Sequence, residues 1–423
     1  MQPADLHTAV PAAPILVFLP DPDASLQVTE PAHDGEPRIL GLGLMQRTIM
    51  VAGRAGYRQF YFLARDQSAP PGVASVVSWS ALATALPPHQ PGPLIITRAT
   101  VLAESEWIER PSEMQIDPAA WAAVPHRVVT LAGAAVPHAL AVLDADGGAY
   151  NLAAVEDRLT RRFGTPAQIS VSTDPMVVVS STDVDVAERR LLRGLVKDTD
   201  GFMARHVERP ISLQIVRRLA PTAITPNQIT MFSVVVGLFG APFFLSTLWP
   251  WQTIGALLFL AHSILDGCDG ELARLRFQQT RFGGVIDYWG DNVVHIAVFA
   301  CMAIGWSMSI GAAWPLLLGV AAALGNLGSA WFVYWRVMRP KDDAGPLFTS
   351  VSKAPDQRLA RLLDAASRRD FIYLVLILAL FGKSNWFLAL ASVGAPIYFF
   401  LLVFIAVRER FLQKDRRRTR SNR

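Results

Sequence analysis

Three long stretches of this chain carry almost no charge. Residues 219–265 and 292–335 contain no Asp, Glu, Lys or Arg, and residues 371–407 contain only Lys383. A helix that crosses a bilayer needs about 20 apolar residues. Each stretch is long enough for a helical hairpin, so the pattern predicts six spans. The hydrophobic fraction of 52% is unevenly spread: the first 200 residues alternate apolar and charged segments, as a water-soluble domain does.

Charge also orients the spans. Charged segments recur only after each pair of spans and therefore fall on one side. They hold Arg274, Arg276, Arg281, Arg336, Arg339, Lys341, Arg368, Arg369 and the tail from Lys414 to Arg423. The opposite turns, near Trp249 to Trp251, Trp306 to Trp314 and Lys383 to Trp386, share one lysine and are rich in tryptophan. The excess of Lys and Arg on cytoplasmic loops predicts an inner-membrane, multi-pass protein with its N-terminal domain and C-terminal tail in the cytoplasm. The chain does not open with a charged n-region, apolar core and small-residue cleavage site, so no export of the N-terminal domain is expected. Net charge is a modest +4. Beside a membrane helix the basic tail suits anionic lipid headgroups, and nucleic acid is not an expected partner. Two cysteines, Cys268 and Cys301, do not make a disulfide framework.

Where the first charge-free stretch ends, acids gather. Asp266 and Asp269 are three apart and share a face on a helix; Asp287 and Asp291 are four apart and do the same on a second helix. Four carboxylates at a bilayer boundary are costly unless a cation holds them. Two facing helices offer an oxygen-rich cage suited to Mg²⁺ or Mn²⁺. The bland alternative is pairing with Arg274, Arg276 and Arg281. It leaves the accompanying Gly270, Ala273 and Gly283 without a purpose, whereas close approach of a ligand to backbone gives them one. His262 and His295 stand one turn before Asp266 and one turn after Asp291; either could tune the site, and both read first as hydrogen-bonded helix-packing residues.

Asp266, Asp269, Gly270, Ala273, Arg274, Gly283, Asp287 and Asp291 reproduce the signature D-x2-D-G-x2-A-R-x8-G-x3-D-x3-D without a departure. The chain therefore resembles the CDP-alcohol phosphotransferase family, also called CDP-alcohol phosphatidyltransferases. The resemblance implies an all-α six-helix transmembrane domain, homodimerisation, and two metal ions shared among the four aspartates, with Asp266 and Asp287 bridging. It implies transfer of a phospho-alcohol group from a CDP-alcohol donor to a hydroxyl acceptor, with release of CMP, in phospholipid or polyol-phosphodiester synthesis. Asp291 is the expected general base. Arg274 is expected on the diphosphate, where a planar fork bonds two oxygens at once. Gly270, Ala273 and Gly283 would leave room for the CDP group. The entry Thr225-Pro226-Asn227-Gln228-Ile229-Thr230 resembles the family's fusion members, and puts Pro226 and Thr230 among CDP-binding candidates. In those members, the di-myo-inositol phosphate phosphate synthases among them, a cytidylyltransferase-like domain precedes the six helices. For a phosphorylated acceptor the candidate cations are Arg205, His206, Arg209, Arg339, Lys341, Arg368 and Arg369, with Arg369 foremost.

The N-terminal region reads as strands at 14–20, 57–64, 73–79, 93–97, 127–131, 139–143 and 176–180. Helices are expected at 39–55, 80–85, 118–124 and 152–163. Such alternation predicts an α/β domain with a largely parallel sheet. Its opening resembles nucleotidyltransferases, but the stretch Leu19-Pro20-Asp21-Pro22-Asp23-Ala24 replaces their glycine-rich loop. Prolines lack N–H donors and acids repel phosphate, and Leu94 to Ala99 carries no acid for a metal. The domain at 14–183 is thus expected to lack nucleotidyltransferase activity. It follows a leader at 1–13 and precedes a helical linker and juxtamembrane amphipathic helix at 184–224. The membrane domain runs 225–410, and a basic tail occupies 411–423. Two rival functions are a bifunctional enzyme that also makes its own CDP-alcohol from CTP, and a cation transporter.

Overall fold

The computed structural model describes residues 13–20, 38–65, 69, 72–86, 92–102, 108, 121–169, 174–196, 200–339 and 371–421. Two compact units form, Met1–Leu191 and Leu192–Arg423.

The first unit is built on β1 (Ile15–Leu19), which is buried along its whole length. Ile15, Val17 and Leu19 face one layer of the core while Leu16 and Phe18 face the other. A strand covered on both faces needs a continuous apolar run, and that is what it has. A two-stranded ribbon, β2 (Arg38–Ile39) and β3 (Leu42–Gly43), leads into α1 (Leu44–Arg54). Then follow β4 (Gln59–Leu63), β5 (Ala74–Val76), α2 (Trp79–Ala85), β6 (Leu94–Arg98), β7 (Trp121–Val124), β8 (Val128–Leu131), α3 (Val136–Asp144), α4 (Leu152–Phe163), β9 (Ala167–Gln168) and α5 (Ser181–Arg193). The seven-stranded sheet has the order β5-β4-β1-β6-β8-β7-β9, and β8 alone runs antiparallel to both its neighbours. The mixed, mostly parallel α/β unit expected from the sequence is present.

Three local expectations fail. Residues 121–124, expected as the end of a helix, form β7. Its Trp-Ala-Ala-Val sequence is buried on both sides and pairs with β8 and β9, and pairing overrides the mild helix preference of alanine. Residues 139–143, expected as a strand, lie in α3, whose Pro137 stands in the first turn, a helix-start signal. Around 176–180 no strand forms; Val177 makes a single bridge to Val101. The loop after β1, residues 21–37, lies outside the described residues.

In the second unit a π-helical turn at Ala204–Glu208 enters α6 (Arg209–Leu219), the expected juxtamembrane helix. Next come α7 (Pro226–Gly240, extended by a 3₁₀ turn to Leu245), α8 (Trp249–Leu275), α9 (Arg281–Ile310), α10 (Trp314–Val333), α11 (Phe371–Leu380) and α12 (Ser384–Ser421). Thr225 caps α7 with a reciprocal box: its amide donates to Gln228 Oε1 (2.9 Å) while its hydroxyl accepts from the Gln228 amide. Among the described residues, four helices are long and apolar enough to cross a membrane: Pro226–Leu245, Arg281–Ile310, Trp314–Arg336 and Ser384–Arg408. Helix α8 has the length, but its last turns carry Asp266, Asp269, Glu271 and Arg274. Among the described residues helix α11 has 10. Large apolar side chains such as Phe239, Leu317 and Phe400 point outward, a surface that water would not tolerate but lipid does.

Helices α7 and α9 meet closely at Gly237, where a Cβ would come within 2.6 Å of Val294 Cγ1. Only glycine permits that approach. At one end of the bundle Thr253 Oγ1 lies 3.4 Å from Ala379 O, and Gln252 Oε1 accepts from the Ser384 amide (3.3 Å). Trp249 and Trp251 sit at this end. Asp266 lies 17 residues along α8 from Trp249, about 26 Å away at the helical rise. The acids thus gather at the other end.

Candidate active site at the ends of two helices

Three carboxylates converge. Asp266 and Asp269 from α8 and Asp287 from α9 each offer an oxygen, and these atoms lie within 4.8 Å of one another. Asp266 and Asp269 are buried and Asp287 is half-buried. Oδ1 of Asp287 is buried without a hydrogen-bond partner. Ionised carboxylates this close, out of water, repel strongly unless a cation sits among them. An all-oxygen donor set from hard carboxylates fits a divalent ion such as Mg²⁺ or Mn²⁺.

Two of the four aspartates have side-chain contacts that orient them. Thr230, buried on α7, contacts the carbonyl of Pro226 (3.2 Å) and the carboxylate of Asp269. It has one proton, and the charged carboxylate is the stronger acceptor. Pro226, at the head of α7, is buried and sets the chain's entry above the site. Asp291, one turn beyond Asp287, is not in the close trio; its Oδ1 lies 3.4 Å from His262 Nε2. The other ring nitrogen of His262 contacts Ser233 O at 2.9 Å, and a carbonyl only accepts, so Nδ1 carries a proton. His262 therefore ties α7 to Asp291, a hydrogen-bonded histidine between helices that also touches the site. His295 does pack, edge-on to Phe259 and Phe371.

Gly283 stands where the start of α9 passes Asn227. A Cβ there would lie 2.7 Å from Asn227 Oδ1 and 3.0 Å from Thr280 Oγ1. Thr280 caps the helix by accepting from the Gly283 amide (3.0 Å). A Cβ at Gly270 would lie in van der Waals contact with Arg274, 3.4 Å from Nη1. Arg274 Nε is buried and has no hydrogen-bond partner. Ala273 is half-buried one residue before it and accepts from the Gln278 amide (2.9 Å).

The acceptor candidates separate. Arg209 is engaged: its Nε and Nη2 donate to Asp200 at 2.8 and 2.9 Å, and its Nη1 to Glu271 Oε1. Burial pulls this guanidinium down, but the bonds to Asp200 and the charge of Glu271 outweigh it and hold it above the ordinary arginine value. Arg339 is exposed, with its guanidinium 3.8 Å above the Trp335 ring. Arg205 and His206 are exposed as well. Arg368, Arg369 and Lys341 lie outside the described residues. Glu271, fully buried and bonded to Arg209 and to Ser212 Oγ (2.9 Å), was missed because it occupies a free position of the signature. Arg276 wraps the end of α6, donating to the carbonyls of Leu219 (2.9 Å), Ala220 (3.0 Å from Nε) and Ile224 (2.6 Å).

Residues 223–355, which contain Asp266, Asp269, Arg274, Asp287 and Asp291, match the family model for CDP-alcohol phosphatidyltransferases. The chain carries a CDP-alcohol phosphatidyltransferase domain. A protein named bifunctional IPC transferase and DIPP synthase, from Thermococcus kodakarensis, is 40% identical over 129 residues, which is 29% of this chain and 29% of that protein's length. A phosphatidylinositol phosphate synthase of Mycobacteroides abscessus is 31% identical over 115 residues, 25% of this chain and 49% of that one. Among solved structures, the phosphatidylinositol phosphate synthase of Mycobacterium tuberculosis with CDP-DAG bound is 21% identical. It covers 47% of this chain and 94% of that one with a TM-score of 0.31.

Proposed function

We propose that this chain is an integral-membrane transferase that moves a phospho-alcohol group from a CDP-alcohol to a hydroxyl acceptor and releases CMP. The observation that carries the reading is the convergence of Asp266, Asp269 and Asp287 within 4.8 Å at the ends of two helices, inside the segment that matches the family model. Asp266, Asp269, Asp287 and Asp291 would hold two divalent cations, Mg²⁺ or Mn²⁺. The bound cations supply neutralisation of the donor's diphosphate charge.

The chain's own residues do the rest. Arg274, with a buried donor lacking a protein partner, binds the diphosphate. Gly283 and Gly270 keep side chains out of the space beside Asn227 and Arg274. Asp291 accepts the proton of the acceptor hydroxyl, whose oxygen forms a bond to the β-phosphorus as the anhydride bond breaks. The bridging oxygen and its electron pair leave with CMP. His262 orients Asp291 through its contact with α7. Alignment of a hydroxyl with a neutralised diphosphate is the main requirement of such a transfer.

The acceptor we favour is a phosphorylated polyol, met by the exposed Arg339 and Arg205 and by Arg368 and Arg369, which lie outside the described residues. The names of the relatives support that class. We take α8 and α11 as the two further spans, the charged end of the bundle as cytoplasmic, and the working enzyme as a homodimer. Purified protein with Mg²⁺ should release CMP from at least one of CDP-diacylglycerol, CDP-inositol and CDP-ethanolamine. Asp291→Asn should slow release by about 10²- to 10⁴-fold. Unchanged release in that variant removes Asp291 from the chemistry.

A second reading gives the N-terminal unit nucleotidyltransferase activity. The sheet order, with a single antiparallel strand, supports the resemblance to that fold. The two prolines and two acids after β1 speak against activity, and we propose that the unit does not make the donor. Pyrophosphate release from CTP and a phospho-alcohol by the full chain would reverse that assignment.

A further inference from the structure

Arg274 has a competitor for its charge within its own helix. Glu271 stands three residues before it, a spacing that brings side chains together, and Glu271 is fully buried. Its carboxylate is nevertheless held by α6, where Oε1 accepts from Arg209 and from Ser212 Oγ (2.9 Å). Asp200 grips the far side of the same guanidinium at 2.8 and 2.9 Å. Arg274 lies in the field of Arg209, Glu271, Asp200 and Asp269, while its Nε keeps no protein partner. A buried carboxylate without a counter-charge takes the nearest available cation. With Arg209 gone, that cation is Arg274.

We propose that Arg209 is a positioning residue for the donor: by neutralising Glu271 it leaves Arg274 available to the diphosphate. The proposal rests on the reading above that Arg274 binds the diphosphate. It also gives the juxtamembrane helix a task in the reaction, since Arg209 and Ser212 both belong to α6. Arg209 then touches no substrate; it acts only through the charge of Glu271.

The test is the affinity of the purified, full-length protein for CDP, titrated with Mn²⁺ present, because every CDP-alcohol shares that part. Arg209→Gln should weaken CDP binding about tenfold or more, the worth of a charge-assisted hydrogen bond. The double variant Arg209→Gln with Glu271→Gln should recover affinity to within about threefold of the parent, since the competing charge is gone. A merely structural role for Arg209 predicts no recovery, because the double variant lacks even more of the network. Arg209→Lys is a second arm: lysine keeps the charge against Glu271 but loses the forked grip on Asp200. Retained CDP affinity there supports the proposal, and a loss as large as that of Arg209→Gln overturns it. Arg274→Gln separates the two levels. If it leaves CDP binding intact, the underlying reading of Arg274 fails; if it weakens binding but the double variant shows no recovery, the positioning role fails.

Discussion

Replacing Thr230 by valine removes a hydroxyl and leaves the shape. In the structure that hydroxyl donates to Asp269, and both residues are buried, at 2% and 4% exposure. No water is at hand to replace the lost donor at such depth. A hydrogen bond to a charged group contributes about 1.5–3 kcal/mol, and loss of a residue that orients a metal ligand costs about 10- to 100-fold in metal affinity. The two magnitudes agree, since about 1.4 kcal/mol corresponds to a factor of ten. Thr230→Val should therefore raise the Mn²⁺ concentration for half-maximal CMP release by about 10- to 100-fold. Activity at saturating Mn²⁺ should suffer less. Direct Mn²⁺ titration followed by electron paramagnetic resonance should show the same shift without any turnover. An unchanged Mn²⁺ dependence in folded Thr230→Val protein would refute the idea that α7 orients the carboxylates.

Three further outcomes follow from the same physics. Asp287→Asn relieves repulsion in the crowded trio, so the metal-free variant should melt higher than the metal-free parent, while added Mn²⁺ should stabilise the parent and not the variant. Gly283→Ala puts a Cβ 2.7 Å from Asn227 Oδ1, the far end of a side chain that can swing aside, so it should lower CDP affinity while changing thermal unfolding by less than about 1 kcal/mol. In the N-terminal unit the Ser180 hydroxyl and the Val179 and Ser180 amides hold Asp183 below the usual carboxylate range. A depressed folded value means that the cap stabilises above the unfolded value of about 3.9 and is lost as pH falls through the folded one. Asp183→Ala should thus speed hydrogen exchange in Ser181–Arg193 about fivefold at pH 7, a cap's worth of about 1 kcal/mol, with the difference shrinking below about pH 4.

The site was legible because its chemistry is written in fixed spacings. Carboxylates three and four apart on helices share a face whatever the surroundings, so Asp266, Asp269 and Asp287 could be joined before any fold was known. His262 and Glu271 were not legible in the same way. Each acquires its role from a partner far along the chain: Ser233 for His262, and Arg209 for Glu271. Arg209 itself looked like an anion-binding cation, because sequence shows a charge but not what already satisfies it. The four helices long and apolar enough to cross a membrane lie in the long charge-free runs, and α8 shares the first of these runs until its polar end, where the acids of the site begin. In the N-terminal unit the strand β7 and helix α3 were exchanged, since short apolar runs such as those at 121–124 and 139–143 carry too few residues to show a period. Pro137 was the local cue that would have identified α3.

The most direct test of the account is the anomalous scattering of Mn²⁺ in crystals of the protein grown with CDP. Manganese should lie within coordination distance of the carboxylates of Asp266, Asp269 and Asp287, with the diphosphate against it. Manganese bound elsewhere, or none at these three side chains at saturating concentration, would contradict it.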